Sequence, residues 1–408
     1  MKALTANFSL GREVWDRLKS KVLRHSETSH ALHLELADMP EPQPVSSEWL
    51  KIRAIMSGIS GMDEGMVLDH DPSVLGAFLS FPFVPGNENL GIVTEIGGGV
   101  EGIELGERVI VNPLLSCAAR EISPLCPSCS RGQPSFCRNF SNGVIGPGII
   151  IGGCKDTGGG WGDSFIAHKS QVRAIPQSME SDQAILVPEF ARALRAVLQH
   201  PPRPGDRVVI VGAGSLGLMT LHAVQLLGHN VDILVVADHP FEAESAQNVA
   251  ECRVVLTDSP GRLYEEVASF VRGAVRYPEA GRLTLEGGAD LVYETTGLKE
   301  RMDDALRFVG EGMKLVLMNI NRPAGFDMTP VWFKGVRING TAFSGPESYK
   351  GGTRETFDIA MDLVAEHGLP PVEFVTHRFR LEEHRQAFDA LEHRAQSKAL
   401  KVIFQHVV

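Results

Sequence analysis

Arg207-Val-Val-Ile-Val-Gly-Ala-Gly-Ser-Leu-Gly217 is the stretch that decides the fold of this 408-residue chain. Val208 to Val211 is a short apolar run, which reads as a buried strand. It leads directly into Gly212-Ala-Gly214-Ser-Leu-Gly217, and a helical pattern follows up to Gly228. In that strand–turn–helix setting each glycine has a separate physical use. Gly212 permits a tight turn, Gly214 lets the backbone approach a pyrophosphate, and Gly217 lets the helix pack on the strand. The helix start, at Ser215 and Leu216, offers free N–H groups and the positive end of the helix dipole to phosphates.

A second strand, 232–237, ends at Asp238, 21 residues beyond Gly217. A carboxylate there accepts from the adenosine ribose hydroxyls and repels a 2′-phosphate. The expected cofactor is therefore NAD rather than NADP, with His239 as the neighbour that favours the opposite choice. The competing reading is a glycine turn in a cofactor-free α/β domain, with Asp238 a solvated acid.

Outward from this motif, apolar runs alternate with helical patterns from about 190 to 342. That alternation predicts βαβ units and a doubly wound parallel sheet. Residues 47–190 instead mix short alternating runs with Gly- and Pro-rich turns, as in a barrel-like β-rich domain. Residues 1–5 and 30–36 read as strands. Leu10, Val14, Leu18 and Val22 predict one helix between them. Gly146 to Gly162 reads as a long glycine-rich loop. The expected division is a first domain of 1–189 and 343–408 around a nucleotide domain of 190–342.

Bulk composition narrows the function. Hydrophobic residues are 43% of the chain and charged residues 22%, as in a globular protein with real cores. A net charge of −11 argues against nucleic-acid or anionic-membrane partners. No segment approaches the roughly 20 apolar residues of a membrane span. No secretory leader pattern is visible at the start, so the expected location is the cytoplasm.

Cys117, Cys126, Cys129 and Cys137 are spaced C-x8-C-x2-C-x7-C. Four thiolates on one lobe, about 113–140, suit a closed tetrahedral zinc site that stabilises and does no chemistry. Cys154 and Cys252 have no such pattern and read as small apolar fillers.

Three further segments carry a resemblance: Met56-Ser-Gly-Ile-Ser-Gly-Met-Asp63, Pro85-Gly-Asn-Glu-Asn-Leu-Gly91 and Gly158-Gly-Gly-Trp-Gly-Asp-Ser-Phe165. With the glycine motif and the cysteine lobe they resemble the medium-chain dehydrogenase/reductase family, of the zinc-dependent alcohol dehydrogenase type. The resemblance runs from Met1 to Phe404. It implies a GroES-like catalytic domain beside a Rossmann domain, and substrate in a cleft between them. It also implies a structural zinc, an NAD(H) cofactor, a small-molecule substrate and a homodimer or homotetramer. Asp290 to Gly297, with Thr296, resembles the strand and turn beside the nicotinamide. In the lobe the family's first spacing is six residues shorter, and the inserted residues can loop out without disturbing the four ligands.

The catalytic pocket departs from the family pattern. Where the family has G-I-C-G-[ST]-D and G-H-E, this chain has Ser60 for Cys and Asn87 for His. Neutral Ser and Asn oxygens are poor zinc ligands beside thiolate and imidazole. The third ligand position falls at Pro188, with Glu189 one residue later, and Met62 replaces the Ser or Thr that relays the alcohol proton. Asp63 and Glu88 match the family. Three readings follow. In the first, hydride moves without a catalytic metal. Ser60 and Asn87 then donate to a substrate oxygen, and Asp63, Glu88 or Glu189 acts as acid or base. In the second, zinc binds through Glu88, Glu189 and weak Ser60 or Asn87 contacts, with His70 a stand-in. In the third, the chain is a non-catalytic NAD-binding scaffold. Arg192 and Arg195 read as solvated helix positions, with Arg192 a candidate for holding an acidic substrate. Lys401 reads as a surface salt bridge or a pyrophosphate contact.

Overall fold

The computed structural model describes residues 1–7, 33–68, 74–319 and 327–407. The expected helix at 10–24 and His70 lie outside the described residues. The chain forms two compact units: Met1–Pro188 with His377–Glu392 and Lys401–Val408, and Glu189–Thr376 with His393–Leu400.

In the first unit, β1 (Lys2–Asn7) pairs antiparallel with β2 (His33–Asp38). The larger sheet is built on β3 (Trp49–Gly58), which pairs antiparallel with β4 (Glu88–Ile96). The sheet continues through β5 (Arg108–Val111) to β7 (Val172–Ala174), while β6 (Ser164–His168) pairs with β3. Its apolar side chains, among them Trp49, Leu50, Ile52, Val109 and Phe165, close one core with no exposed surface. The helix α1 (Gly61–Leu68) follows β3 directly, so the candidate pocket residues sit on a strand end, a helix start and the start of β4.

The second unit holds a six-stranded parallel sheet. Its strands are β8 (Arg207–Val211), β9 (Asp232–Ala237), β10 (Arg253–Leu256), β13 (Ala289–Glu294), β14 (Val309–Leu317) and β15 (Arg337–Gly340). Their order is β10-β9-β8-β13-β14-β15, every pairing parallel. With β8 counted first this is the doubly wound order 3-2-1-4-5-6. Two hairpins complete the unit's strands: β11 (Ala274–Arg276) with β12 (Thr284–Glu286), and β16 (Pro346–Tyr349) with β17 (Gly352–Glu355). Strands β18 (Val375–Phe379) and β19 (Lys401–Gln405) belong to the sheet of the first unit, β19 beside β3.

Helices α2 (Val187–Gln199), α3 (Ser215–Leu226), α4 (Pro240–Val249), α5 (Pro260–Val271), α6 (Lys299–Phe308) and α7 (Thr356–His367) belong to or border this unit. Helix α3 is buried from Ser215 to Val224. A strand or helix covered on all sides reads as a continuous apolar run rather than an alternating one. The chain leaves this unit at Thr376, not near 342. Arg195 accounts for that. It is buried rather than solvated, and its guanidinium holds Glu347 and donates to Ala342 O and Ser344 O, tying 342–347 to α2. Among the described residues no helix is long and apolar enough to cross a membrane.

Candidate functional site

Ser60, Asp63 and Asn87 form one buried polar cluster. Ser60 ends the turn after β3, Asp63 lies in the first turn of α1, and Asn87 directly precedes β4. The Oδ2 atom of Asp63 accepts from the Ser60 hydroxyl at 2.7 Å, the Ser60 N–H at 3.0 Å and the Asn87 amide at 2.9 Å. The Asn87 amide also donates to Ser60 Oγ at 2.8 Å, and the Asp63 N–H donates to the same oxygen at 3.1 Å. All the donors expected to meet a substrate oxygen are thus directed at Asp63. Its second oxygen, Oδ1, is buried and has no hydrogen-bond partner among the described residues. Burial pushes the Asp63 carboxyl above its usual range. The Ser60 and Asn87 donors and the charge of Lys401 pull it back.

Glu88 stands beside this cluster. Lys401 is not at the surface: its ammonium lies 2.5 Å from Glu88 Oε2, and both side chains are almost fully buried. Such a pair is retained for position as much as for energy, since burying two charges costs about as much as their attraction returns.

The segment behind the cluster is clamped by the glycine-rich stretch. Gly160 N–H donates to Gly86 O and Trp161 N–H to Pro85 O. A Cβ on Gly160 would stand 1.9 Å from Asn89 Oδ1, so only glycine allows this approach. The stretch is irregular, as expected, but it is buried and supports Asn87 from behind.

Among the described residues, the only group of three or more His, Cys, Asp or Glu side chains placed to hold a metal is Cys117, Cys126, Cys129 and Cys137. Their sulfurs lie within 4.8 Å of one another. Backbone and side-chain N–H groups point at them: Arg138 N at Cys126, Asn139 N at Cys137 and Asn139 Nδ2 at Cys117. Burial opposes ionisation of Cys126, but the Arg138 N–H and the neighbouring Cys129 and Cys117 hold it down at about 6, whereas burial pushes Cys137 up to about 11 and raises Cys129 as well. Four converging thiolates fit a structural zinc. Ser60, Asn87 and Pro188 do not fit a catalytic one.

The inserted residues of this lobe divide: Glu121, Ser123, Pro124 and Leu125 are exposed, whereas Ala119 and Arg120 turn inward. Arg120 is completely buried, and all five of its N–H donors are used on carbonyls. They reach Leu115, Asn142, Ile145, Gly146 and Gly148 at 2.6–3.1 Å. Glu121, next to it, accepts from the Trp49 indole at 2.9 Å. A fully satisfied guanidinium is a strong local organiser, so Arg120 is an internal brace of the lobe.

In the second unit the glycine motif lies between β8 and α3. Gly212 has φ +101°, and a Cβ there would meet Thr295 and Thr296 within 2.6 Å. A Cβ on Gly217 would stand 2.1 Å from Gly212 O. Gly214 faces open space, its nearest neighbour being Arg394 Nη1 at 3.8 Å from that position. Arg394 was not legible as a site residue, because it lies 180 residues downstream in a polar stretch with no motif. Ser215 Oγ donates to Glu189 Oε2 at 2.5 Å. Arg192 donates to Met318 O at 3.0 Å. Asp238 lies at the end of β9, where Oδ1 accepts from Thr257 Oγ at 2.7 Å and from Arg301 Nε at 2.8 Å. Thr296 N–H and Oγ and Gly297 N–H all donate to Glu294 Oε1, and burial holds the Glu294 carboxyl up at about 7 despite these donors.

Residues 46–177 match the alcohol dehydrogenase GroES-like domain. The chain is 26% identical to the L-threonine 3-dehydrogenase of Xanthomonas campestris pv. campestris (strain B100), over 94% of this chain and 98% of that protein. Its fold is similar to the Escherichia coli CFT073 alcohol dehydrogenase rspB, solved with NADH, at TM-score 0.71 and 19% identity, covering 100% of this chain and 99% of that one. It is likewise similar to a zinc-binding dehydrogenase of Sinorhizobium meliloti 1021 bound to NADP, at TM-score 0.67 and 22% identity, covering 99% and 100%. With this domain match, the parallel sheet order and the glycine and cysteine motifs, the chain is similar to the zinc-type medium-chain dehydrogenases in its GroES-like domain and its overall fold.

Proposed function

We propose that this protein is an NAD(H)-dependent oxidoreductase that works without a catalytic zinc, transferring hydride to or from a carbonyl/alcohol or activated C=C substrate. The observation that carries this reading is the Asp63 carboxylate. One of its oxygens is saturated by three donors, and the other is buried with capacity to spare. Bound NAD supplies the hydride acceptor, and NADH the donor. Asp63 Oδ1 takes the hydroxyl proton as an alcohol becomes a carbonyl, and returns it in the reverse direction. Burial makes Asp63 a stronger base than a solvated carboxylate. Ser60 and Asn87 fix the carboxylate by its other oxygen, and the Lys401–Glu88 pair sets the charge beside it. Glu189 positions Ser215 at the phosphate loop, and Arg394 supplies a cation over Gly214. NAD is favoured by Asp238. The four cysteines hold one structural zinc, and the family relationship favours a homodimer or homotetramer. The threonine dehydrogenase relative makes small polar secondary alcohols the first substrates to try.

The test uses full-length protein with its zinc content measured. Turnover of a panel of secondary alcohols, ketones and enones is followed through NADH absorbance. Activity is expected at one zinc per chain. Asp63→Asn should lower kcat by about 100-fold or more, the usual worth of a general base, with NADH binding intact. Activity that depends on a second zinc would overturn the reading in favour of metal-assisted alcohol oxidation. Tight dinucleotide binding without turnover of any substrate would favour a scaffold.

A further inference from the structure

We propose that Arg301 sets the cofactor choice of the ribose site at the end of β9, by pairing with Asp238 so that this carboxylate excludes a 2′-phosphate only weakly. The inference rests on the dinucleotide reading above and adds to it a residue that no motif marks.

In the simple form of this site, an acid after the second strand accepts from the ribose hydroxyls and repels a 2′-phosphate, whereas a nearby arginine accommodates the phosphate. Here both groups occupy the same spot and are bonded to each other. Arg301 Nε donates to Asp238 Oδ1, and Thr257 Oγ donates to the same oxygen. Asp238 Oδ2 has no hydrogen-bond partner among the described residues, which leaves an acceptor for a ribose hydroxyl. Arg301 is also held from behind, with Nη1 donating to Asp304 Oδ2 at 2.8 Å. Asp304 is buried and is itself anchored by Arg282 at 2.8 Å and by Tyr264 O–H at 2.9 Å. The guanidinium therefore cannot swing away from Asp238 without leaving a buried carboxylate short of a partner.

The Nη2 donors of Arg301 are unused among the described residues, and the side chain keeps 19% of its surface open to solvent. A planar guanidinium with open N–H groups is well suited to phosphate oxygens. A 2′-phosphate at this position would meet a carboxylate already neutralised by a neighbour, and a donor pair ready to bind it. A 2′-hydroxyl would meet Asp238 Oδ2. The site accordingly serves both nucleotides, with Arg301 deciding how far NADP is tolerated.

The experiment measures dissociation constants of NADH and NADPH for the full-length protein by nicotinamide fluorescence, so no substrate is needed. Loss of one charge-assisted hydrogen bond corresponds to about tenfold in affinity. Arg301→Gln is expected to weaken NADPH by about that factor while changing NADH far less. Asp238→Asn is expected to do the reverse, tightening NADPH and weakening NADH. Arg301→Lys keeps a charge against Asp304 but loses the planar fork, so it keeps the inference testable if Arg301→Gln does not fold. It should cost NADPH more than NADH. An unchanged NADPH-to-NADH ratio in the arginine variants, with tight binding retained, would show that the pair only fastens α6 to β9 and would overturn this inference alone. Failure of the wild-type chain to bind either nucleotide would overturn the dinucleotide reading together with it.

Discussion

Single residues decide the chemistry here, and two carboxyls show how burial does it. Asp63, in the first turn of α1, and Glu294, at the end of β13, are both raised by burial against the pull of several donors. Glu294 gives a measurable consequence for stability. Its native carboxyl holds a proton up to about 7, while the unfolded chain releases it near 4.5. The native state then binds more protons between those values, so this contribution is complete below about 4.5 and is lost as the pH rises to about 7. At about 1.4 kcal/mol per pH unit the window amounts to roughly 3 kcal/mol. Glu294→Gln retains an acceptor for Thr296 and Gly297, and thermal unfolding of that variant should show a flatter pH dependence over this range. A slope identical to wild type would place the titrating group elsewhere. Ser60→Ala removes a donor to Asp63 Oδ2 and an acceptor of the Asn87 amide together. It is expected to lower kcat about tenfold or more with little change in KM, since it acts through the orientation of Asp63.

At the scale of elements, two irregular stretches are internal supports. The glycine-rich stretch lies against Gly86 and Asn89 so closely that Gly160→Ala should displace Asn87 and impair turnover well before the fold is lost. Activity and unfolding temperature measured together separate the two effects. The cysteine lobe depends on Arg120. Arg120→Met leaves five carbonyls, three of them in buried contacts, without their donor and should cost on the order of 3–5 kcal/mol, read as a fall in unfolding temperature and easier loss of zinc. The spacing of the cysteines announced the lobe, because metal ligands must recur at short intervals. The direction of the insertion was not legible, because burying an arginine requires five carbonyls that come from residues 115 to 148.

At the scale of the molecule, the two units offer separate handles. Stripping zinc with a strong chelator should lower the unfolding temperature of the unit that carries the cysteines. The affinity for NADH, whose expected loop and ribose residues all belong to the other unit, should change by less than a few-fold. Equal loss of both would mean that the lobe is required for the fold of the whole chain. The sequence by itself determined the parallel sheet, the glycine turn that follows its first strand, the carboxylate after the second strand and the four converging cysteines, because each depends on local spacing that a strand or a turn imposes. It also marked Ser60 and Asn87 as poor zinc ligands. Only the tertiary structure decided where the polar groups spend their hydrogen bonds. Asp63 gathers the donors of Ser60 and Asn87, Lys401 turns inward to Glu88, Glu189 goes to Ser215, and Asp238 meets Arg301, 63 residues away. Those pairings are long-range choices set by burial, where an unpaired polar group costs more than any local preference returns.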